Sequence, residues 1–252
     1  MSTEHPHLDR ARAESFGATA EQYDRGRMPY PDALFDDFAE PHPRDVLDVA
    51  CGTGRVARRL AQRGLHVLGV EVDERMARVA RGHGVEVEIA AFESWDASGR
   101  RFDLITCGEA WHWLDPVRSV EKTADLLRPG GLCARFWGFN AVDEPLVSAI
   151  EAVYERHAPG TYPHARIPSP DDVSDLFDQS DAFETLDPKL YWDEHTLTAD
   201  QWVATVSTYS DHQRLGPERL GLVGAGLREA IEAHGGSVKM RFGTYVMRSR
   251  RV

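Results

Sequence analysis

The chain has 252 residues, 42% hydrophobic and 28% charged, and its 41 acidic against 29 basic side chains leave a formal net charge of −12. That mix belongs to a globular chain long enough to bury a core without disulfides or a structural metal. It excludes a general affinity for nucleic acid or anionic membranes, both of which need a positive surface. The basic cluster Lys239, Arg241, Arg248, Arg250 and Arg251 reads as a solvated last strand and tail. No apolar run approaches the ~20 residues that span a bilayer, and the opening MSTEHPHLDRARAESF holds no apolar signal core. Cys51, Cys107 and Cys133 are odd in number and far apart, which predicts small buried hydrophobes in a reducing, cytoplasmic setting.

Taken in chain order, residues 1–40 are expected to form an N-terminal helical lid, with Gly26 and the prolines at 29 and 31 suiting a hinged cover. Val46–Val49 predicts a first strand. The turn Gly52-Thr53-Gly54 follows, then a helix with Val56, Ala57, Leu60 and Ala61 on one face, ended by Gly64. His66–Val70 is a second strand, and Asp73 caps a helix through Met76, Val79 and Ala80. Val85–Ile89 and Phe102–Thr106 read as further strands. Asp115-Pro116 opens a helix with Val117, Val120, Ala124 and Leu127 on one face, and Leu132–Trp137 is the next strand. A helix starts at Asp143 and Pro145. Residues from about 158 to 235 are expected to form a helical cap on the substrate side, with helices near Asp200 and Pro217, before a last strand over Ser237–Met247. Strands alternating with helices at this spacing predict an α/β fold with a Rossmann-like, seven-stranded, mostly parallel sheet and helices on both faces over 41–252.

Gly52-x-Gly54-x-x-Ala57 after a strand, with Glu71 closing the next strand, is close to a dinucleotide fingerprint. Asp48 changes that reading. A dinucleotide would seat its pyrophosphate at this helix N-terminus, and a carboxylate at ~5 Å would oppose it by about 3 kcal/mol at an effective dielectric of 20. A cationic ligand reverses the sign, and an adenosyl sulfonium with its ammonium group is such a ligand.

VLDVACGTGRVA (46–57), GVEVDERM (69–76), FDLITCGEAWHWLD (102–115) and LLRPGGL (126–132) occur in order. Together they resemble the class I S-adenosylmethionine-dependent methyltransferases, in particular the small-molecule, trans-aconitate methyltransferase-like branch. That branch carries a His-Trp pair after strand four and an opening similar to SFGATAEQYDRGRMPYP (15–31). The resemblance implies S-adenosyl-L-methionine as cofactor and S-adenosyl-L-homocysteine as product. It places cofactor contacts at Asp48, Ala50, Gly52, Gly54, Glu71, Val72, Phe92, Glu93, Gly108 and Arg27. Within that set, Glu71 accepts the ribose hydroxyls, Phe92 contacts the adenine through its ring and backbone N–H, and Glu93 either binds or serves as a cap. Glu109, Trp111, Trp113 and Tyr30 are expected to face the acceptor. Glu109, where relatives often carry Gln, pairs either with Arg27 or with a cationic substrate.

His112 and Tyr23 are the candidate catalytic residues, His112 as a general base and Tyr23 as a contact near the sulfonium. The alternative for His112 is a histidine that orients its loop. For Tyr23 and Arg27 it is anchorage of an N-terminal helix. His157, His164, His195 and His212 lack ligand spacing, so no metal site is expected. The expected partner is a small-molecule acceptor, with Trp192, Trp202 and Tyr209 in the cap favouring an apolar or aromatic one, and no nucleic acid and no membrane. Quaternary state is monomer or homodimer. The rival functions are an NAD(P)-dependent oxidoreductase on the same fold and a cofactor-binding module without catalysis.

Overall fold

Residues 17, 19–163 and 175–252 are described by the computed structural model. The parts of the expected lid at 1–16 and 18, and of the expected cap at 164–174 including His164, lie outside the described residues. Five strands pair in parallel: β1 (Asp45–Val49), β2 (His66–Glu71), β3 (Glu86–Ile89), β4 (Phe102–Gly108) and β5 (Leu127–Val142). β6 (Phe183–Thr198) and β7 (Ser237–Arg251) extend the sheet antiparallel, in the order β3-β2-β1-β4-β5-β7-β6. The seven-stranded, mostly parallel expectation holds. β1 and β4 are central, and their successive residues alternate between two cores: Val46 and Leu104 face one, Leu47 and Ile105 the other.

The helices are α1 (Ala20–Gly26), α2 (Asp32–Ala39), α3 (Arg55–Ala61), α4 (Glu74–Gly82), α5 (Pro116–Leu126), α6 (Leu146–His157), α7 (Ala199–Val206), α8 (Ser210–Gln213) and α9 (Gly216–Ala233). Two starts follow the sequence signals directly. Asp73 accepts from the Arg75 N–H at 2.8 Å, and Asp115 accepts from the N–H groups of Val117 and Arg118 at 3.1 and 3.0 Å, with Pro116 at the first helical position. The face of α5 differs from expectation. Val117 is 57% exposed, and the buried side is Ser119, Val120, Thr123 and Leu126, while Leu127 belongs to β5. Hydroxyl side chains conceal that face in the sequence; Thr123 satisfies its own by donating to the Ser119 carbonyl at 2.7 Å.

The larger difference lies in the stretch expected as a helical cap. Residues 183–198 are instead an edge strand of 16 residues, followed by α7–α9. The first half of β6 is largely exposed and only Asp193–Thr198 alternate in burial, and Pro188 sits at a register break between Leu186 and Lys189, where an edge strand tolerates proline. Trp202 of α7 is fully buried in the core rather than facing an acceptor, and Trp192 stacks edge-on against Phe139 of β5 at 5.2 Å. All three cysteines are buried and free, and burial holds their thiols protonated, Cys133 at about 12. Among the described residues no helix is long and apolar enough to cross a membrane.

Candidate active site

The strand order reverses between β1 and its two neighbours, β2 and β4, so a crevice opens at the carboxyl ends of these strands, where doubly wound sheets bind ligands. The loop from β1 to α3 forms its floor. Ala50, Gly52 and Gly54 have φ of 50°, 57° and 77°. A Cβ on Gly54 would come within 3.0 Å of both Ala80 and Val85, so α4 packs directly against a bare backbone there. Ala50 takes the same left-handed region without glycine's freedom, a cost that clusters at functional loops.

Glu71, 7% exposed at the end of β2, holds this loop. Its Oε2 accepts from the Gly52 N–H at 2.8 Å, and its Oε1 from the N–H groups of Val72 and Asp73, both at 2.9 Å. Burial raises its pKa against the pull of those three donors. Thr53 donates its hydroxyl to Asp24 of α1 at 2.8 Å. Asp24 also meets Arg58 at 3.3 Å and His83 at 3.0 Å, and although burial opposes it, these partners hold its carboxyl below the usual range.

Asp48 is 1% exposed, so it does not open directly on the crevice as expected of a ligand contact. Its Oδ1 accepts from the Thr106 hydroxyl of β4 at 2.8 Å, and its Oδ2 closes no hydrogen bond of normal geometry. Burial pushes the carboxyl up to about 7, over the opposing pull of Thr106 and the Ala57 N–H. Its field still reaches the glycine loop, because charge in a dry interior is weakly screened.

Beyond β4, Gly108 is required by packing: a Cβ would lie 2.8 Å from the Phe136 ring and 3.0 Å from the Tyr30 hydroxyl. Glu109 follows at φ 63°. Its Oε1 accepts from the Gly138 N–H at 2.6 Å, and burial raises its pKa against the nearby Arg27 and Arg55. Tyr23, Arg27, Met28, Tyr30, Arg55, Glu109, Gly138, Tyr209 and Phe242 line one narrow pocket. Within it the Arg27 guanidinium lies 4.8 Å from the Tyr23 ring and 4.4 Å from the Tyr209 ring, with its Nε unpartnered. No ion pair joins Arg27 to Glu109; the two are coupled through space. Tyr30 packs edge-on to Phe136 at 5.1 Å.

Trp111, His112 and Trp113 form a single 3-10 turn. Trp111 leans on Phe177 at 5.4 Å and on Arg135 at 5.7 Å. The His112 ring lies 4.7 Å from Trp113 and its Nδ1 accepts from the Trp137 indole N–H at 3.3 Å. Two expected cofactor contacts move into structural roles. Phe92 is 3% exposed, its ring inside the second core with Trp95, which leaves its backbone N–H as the expected contact. Glu93 accepts from the Asp115 N–H at 2.8 Å and so fixes the start of α5. Val72, by contrast, is 40% exposed next to Glu71.

A family model described as a methyltransferase domain matches residues 46–131, the span holding this loop, Glu71 and the turn after β4. Over 134 residues the chain is 35% identical to an uncharacterized methyltransferase of Mycobacterium tuberculosis, covering 52% of this chain and 54% of that one. A ubiquinone biosynthesis O-methyltransferase of Alkalilimnicola ehrlichii is 38% identical over 96 residues, 35% of this chain and 39% of that protein. The chain thus spans about half or less of the length of the curated relatives it matches. In fold it is similar to an Anaeromyxobacter dehalogenans protein assigned as a type II methyltransferase, with TM-score 0.69 and 22% identity over 89% of this chain and 97% of that one. An N-methyltransferase of Haemonchus contortus, solved with phosphomonomethylethanolamine and S-adenosylhomocysteine, gives TM-score 0.52 at 13% identity, over 98% of this chain and 60% of that one.

Proposed function

We propose that the protein transfers a methyl group from S-adenosyl-L-methionine to a small-molecule acceptor by in-line displacement. The observation that carries this reading is the pair of buried carboxylates, Asp48 and Glu71, set around a glycine loop that presents no cation to the crevice. The one basic side chain in the first turn of α3, Arg55, donates instead to the carbonyls of Asp24, Arg27 and Met28. Glu71 suits a ribose on either cofactor, so Asp48 discriminates: when ionised it would oppose a pyrophosphate by about 3 kcal/mol at ~5 Å and an effective dielectric of 20. That disfavours the oxidoreductase alternative, whereas a sulfonium with an ammonium group fits.

The residues divide the work by chemistry. Glu71 uses three of its roughly four lone-pair positions on backbone N–H groups, which leaves acceptor capacity for ribose hydroxyls. Gly52 and Gly54 allow close backbone approach, and exposed Val72 offers an apolar wall. When bound, the cofactor supplies an activated methyl whose leaving group is a neutral thioether. The chain must therefore mainly align the acceptor, which can supply ~7–11 kcal/mol. The segment from α1 to Tyr30 acts as a lid, with Tyr23, Arg27 and Tyr30 closing the acceptor pocket. His112 accepts at Nδ1 from the Trp137 indole N–H, a contact that fixes its ring and supports its orienting role over that of a base. For an acceptor that carries a proton, Glu109 is the carboxylate in the pocket able to receive it. Thermal unfolding with added ligand tests the proposal. S-adenosylhomocysteine should raise the melting temperature and NAD should not; the reverse order would reject it.

A further inference from the structure

The lid touches the glycine loop through a small set of polar contacts that the transfer chemistry does not use. Thr53, 1% exposed in the middle of the Gly-Thr-Gly turn, donates to Asp24 at 2.8 Å. Two residues on, the Arg55 guanidinium donates to the carbonyls of Asp24 at 3.2 Å and Arg27 at 3.0 Å, and to that of Met28. The Asp24 carbonyl lies in the last turn of α1, where it has no helical partner, and those of Arg27 and Met28 follow on the extended backbone just past its end. The residues so held carry the acceptor pocket: Tyr23 precedes Asp24, Arg27 is one of the three, and Tyr30 lies two residues beyond Met28. One loop therefore presents its backbone to the cofactor crevice and its side chains to the lid.

We propose that Arg55, with the Thr53–Asp24 hydrogen bond, is a positioning latch that makes the lid read the seating of the glycine loop, so that the acceptor pocket assembles when the cofactor site is filled. The inference rests on the cofactor reading above. Arg55 acts by capping the end of α1 rather than by touching the reacting atoms, and it supplies three donations in fixed geometry from one planar fork. Lys at this position carries the same charge without the fork, so it restores the latch only in part. A seated loop and a closed lid stabilise each other reciprocally, as any coupling between two sites must.

Hydrogen exchange of the full chain, with and without saturating S-adenosylhomocysteine, reads this coupling at the amides of residues 20–30. In the wild type the ligand should slow lid exchange. In Arg55→Met the ligand-free lid should exchange about tenfold faster, roughly the weight of one charge-assisted hydrogen bond, and added ligand should no longer slow it. The amides of β1 and β4 should stay protected, which separates a lost latch from a loosened fold. Arg55→Lys should recover part of the ligand response, and Thr53→Val should reproduce the loss more weakly, carrying the test if Arg55→Met misfolds. Lid exchange that responds to ligand equally in all four proteins would overturn the latch. If S-adenosylhomocysteine fails to bind the wild type, the cofactor reading and the coupling built on it fall together, while the ligand-free comparison of wild type with Arg55→Met still decides whether Arg55 holds the lid.

Discussion

Replacing Asp48 by Asn keeps the side chain's shape and its acceptor for the Thr106 hydroxyl while removing a buried charge. Folding raises this carboxyl from 3.8 to about 7, so the native state binds the proton more tightly than the unfolded chain. Stability is then fully present below about pH 4 and is lost as pH climbs through 7. The shift of about three units corresponds to about 4 kcal/mol at full ionisation, of which about 2.5 kcal/mol accrues between pH 5 and pH 8. Asp48→Asn escapes that loss. Its melting temperature relative to wild type should therefore rise by about 5–10 °C between pH 5 and pH 8, at 2–4 °C per kcal/mol for a chain of this size. Other carboxylates titrate in both proteins and cancel in the difference. A difference that stays constant across the range would show that Asp48 is not held in a charge-averse site, and the electrostatic reading of the crevice would lose its basis.

Three further outcomes follow from the same geometry. Gly54→Ala forces a Cβ into left-handed backbone and to 3.0 Å from Ala80 and Val85, and should lower stability by about 2 kcal/mol or more, read from the urea midpoint. Arg135, 1% exposed, pairs with Asp175 at 2.6 Å and stacks 3.8 Å from the Phe177 ring. Arg135→Met leaves that acid buried alone and should cost about 3–5 kcal/mol, largely recovered when Asp175→Leu is added. Arg27→Met removes the cation between Tyr23 and Tyr209 and should weaken cofactor affinity or turnover; if calorimetry and an S-adenosylhomocysteine release assay find both unchanged, Arg27 has no role in the site.

Local signals were legible where one residue decides one feature. Asp73 and Asp115-Pro116 marked helix starts, Gly64 an end, and the Gly52–Gly54 turn with Glu71 the crevice, because caps and positive φ depend on short-range chemistry. Features set by tertiary context were not. β6 is an edge strand whose first half is largely exposed, so its sequence lacks the apolar alternation that would mark it there. Phe92 and Glu93 sit at positions that resemble adenine contacts, but whether a phenyl ring faces a crevice or a core depends on how the turn packs against α5. Arg55 looked like any exposed basic residue on a helix, and only folding shows it turned back under the lid carbonyls. Asp48 was located correctly along the chain, yet its burial behind Thr106 makes its influence one of field rather than contact.

Calorimetric titration of S-adenosyl-L-methionine into the wild type and Asp48→Asn from pH 6 to pH 8 probes the selection of a positive ligand by buried negative charge. Because Asp48 ionises at about 7, wild-type affinity should strengthen by about tenfold more than that of the Asn variant over this range, while the ligand's own amine titrates alike in both. Parallel pH profiles for the two proteins, or tighter binding of NAD than of S-adenosyl-L-methionine at pH 8, would contradict it.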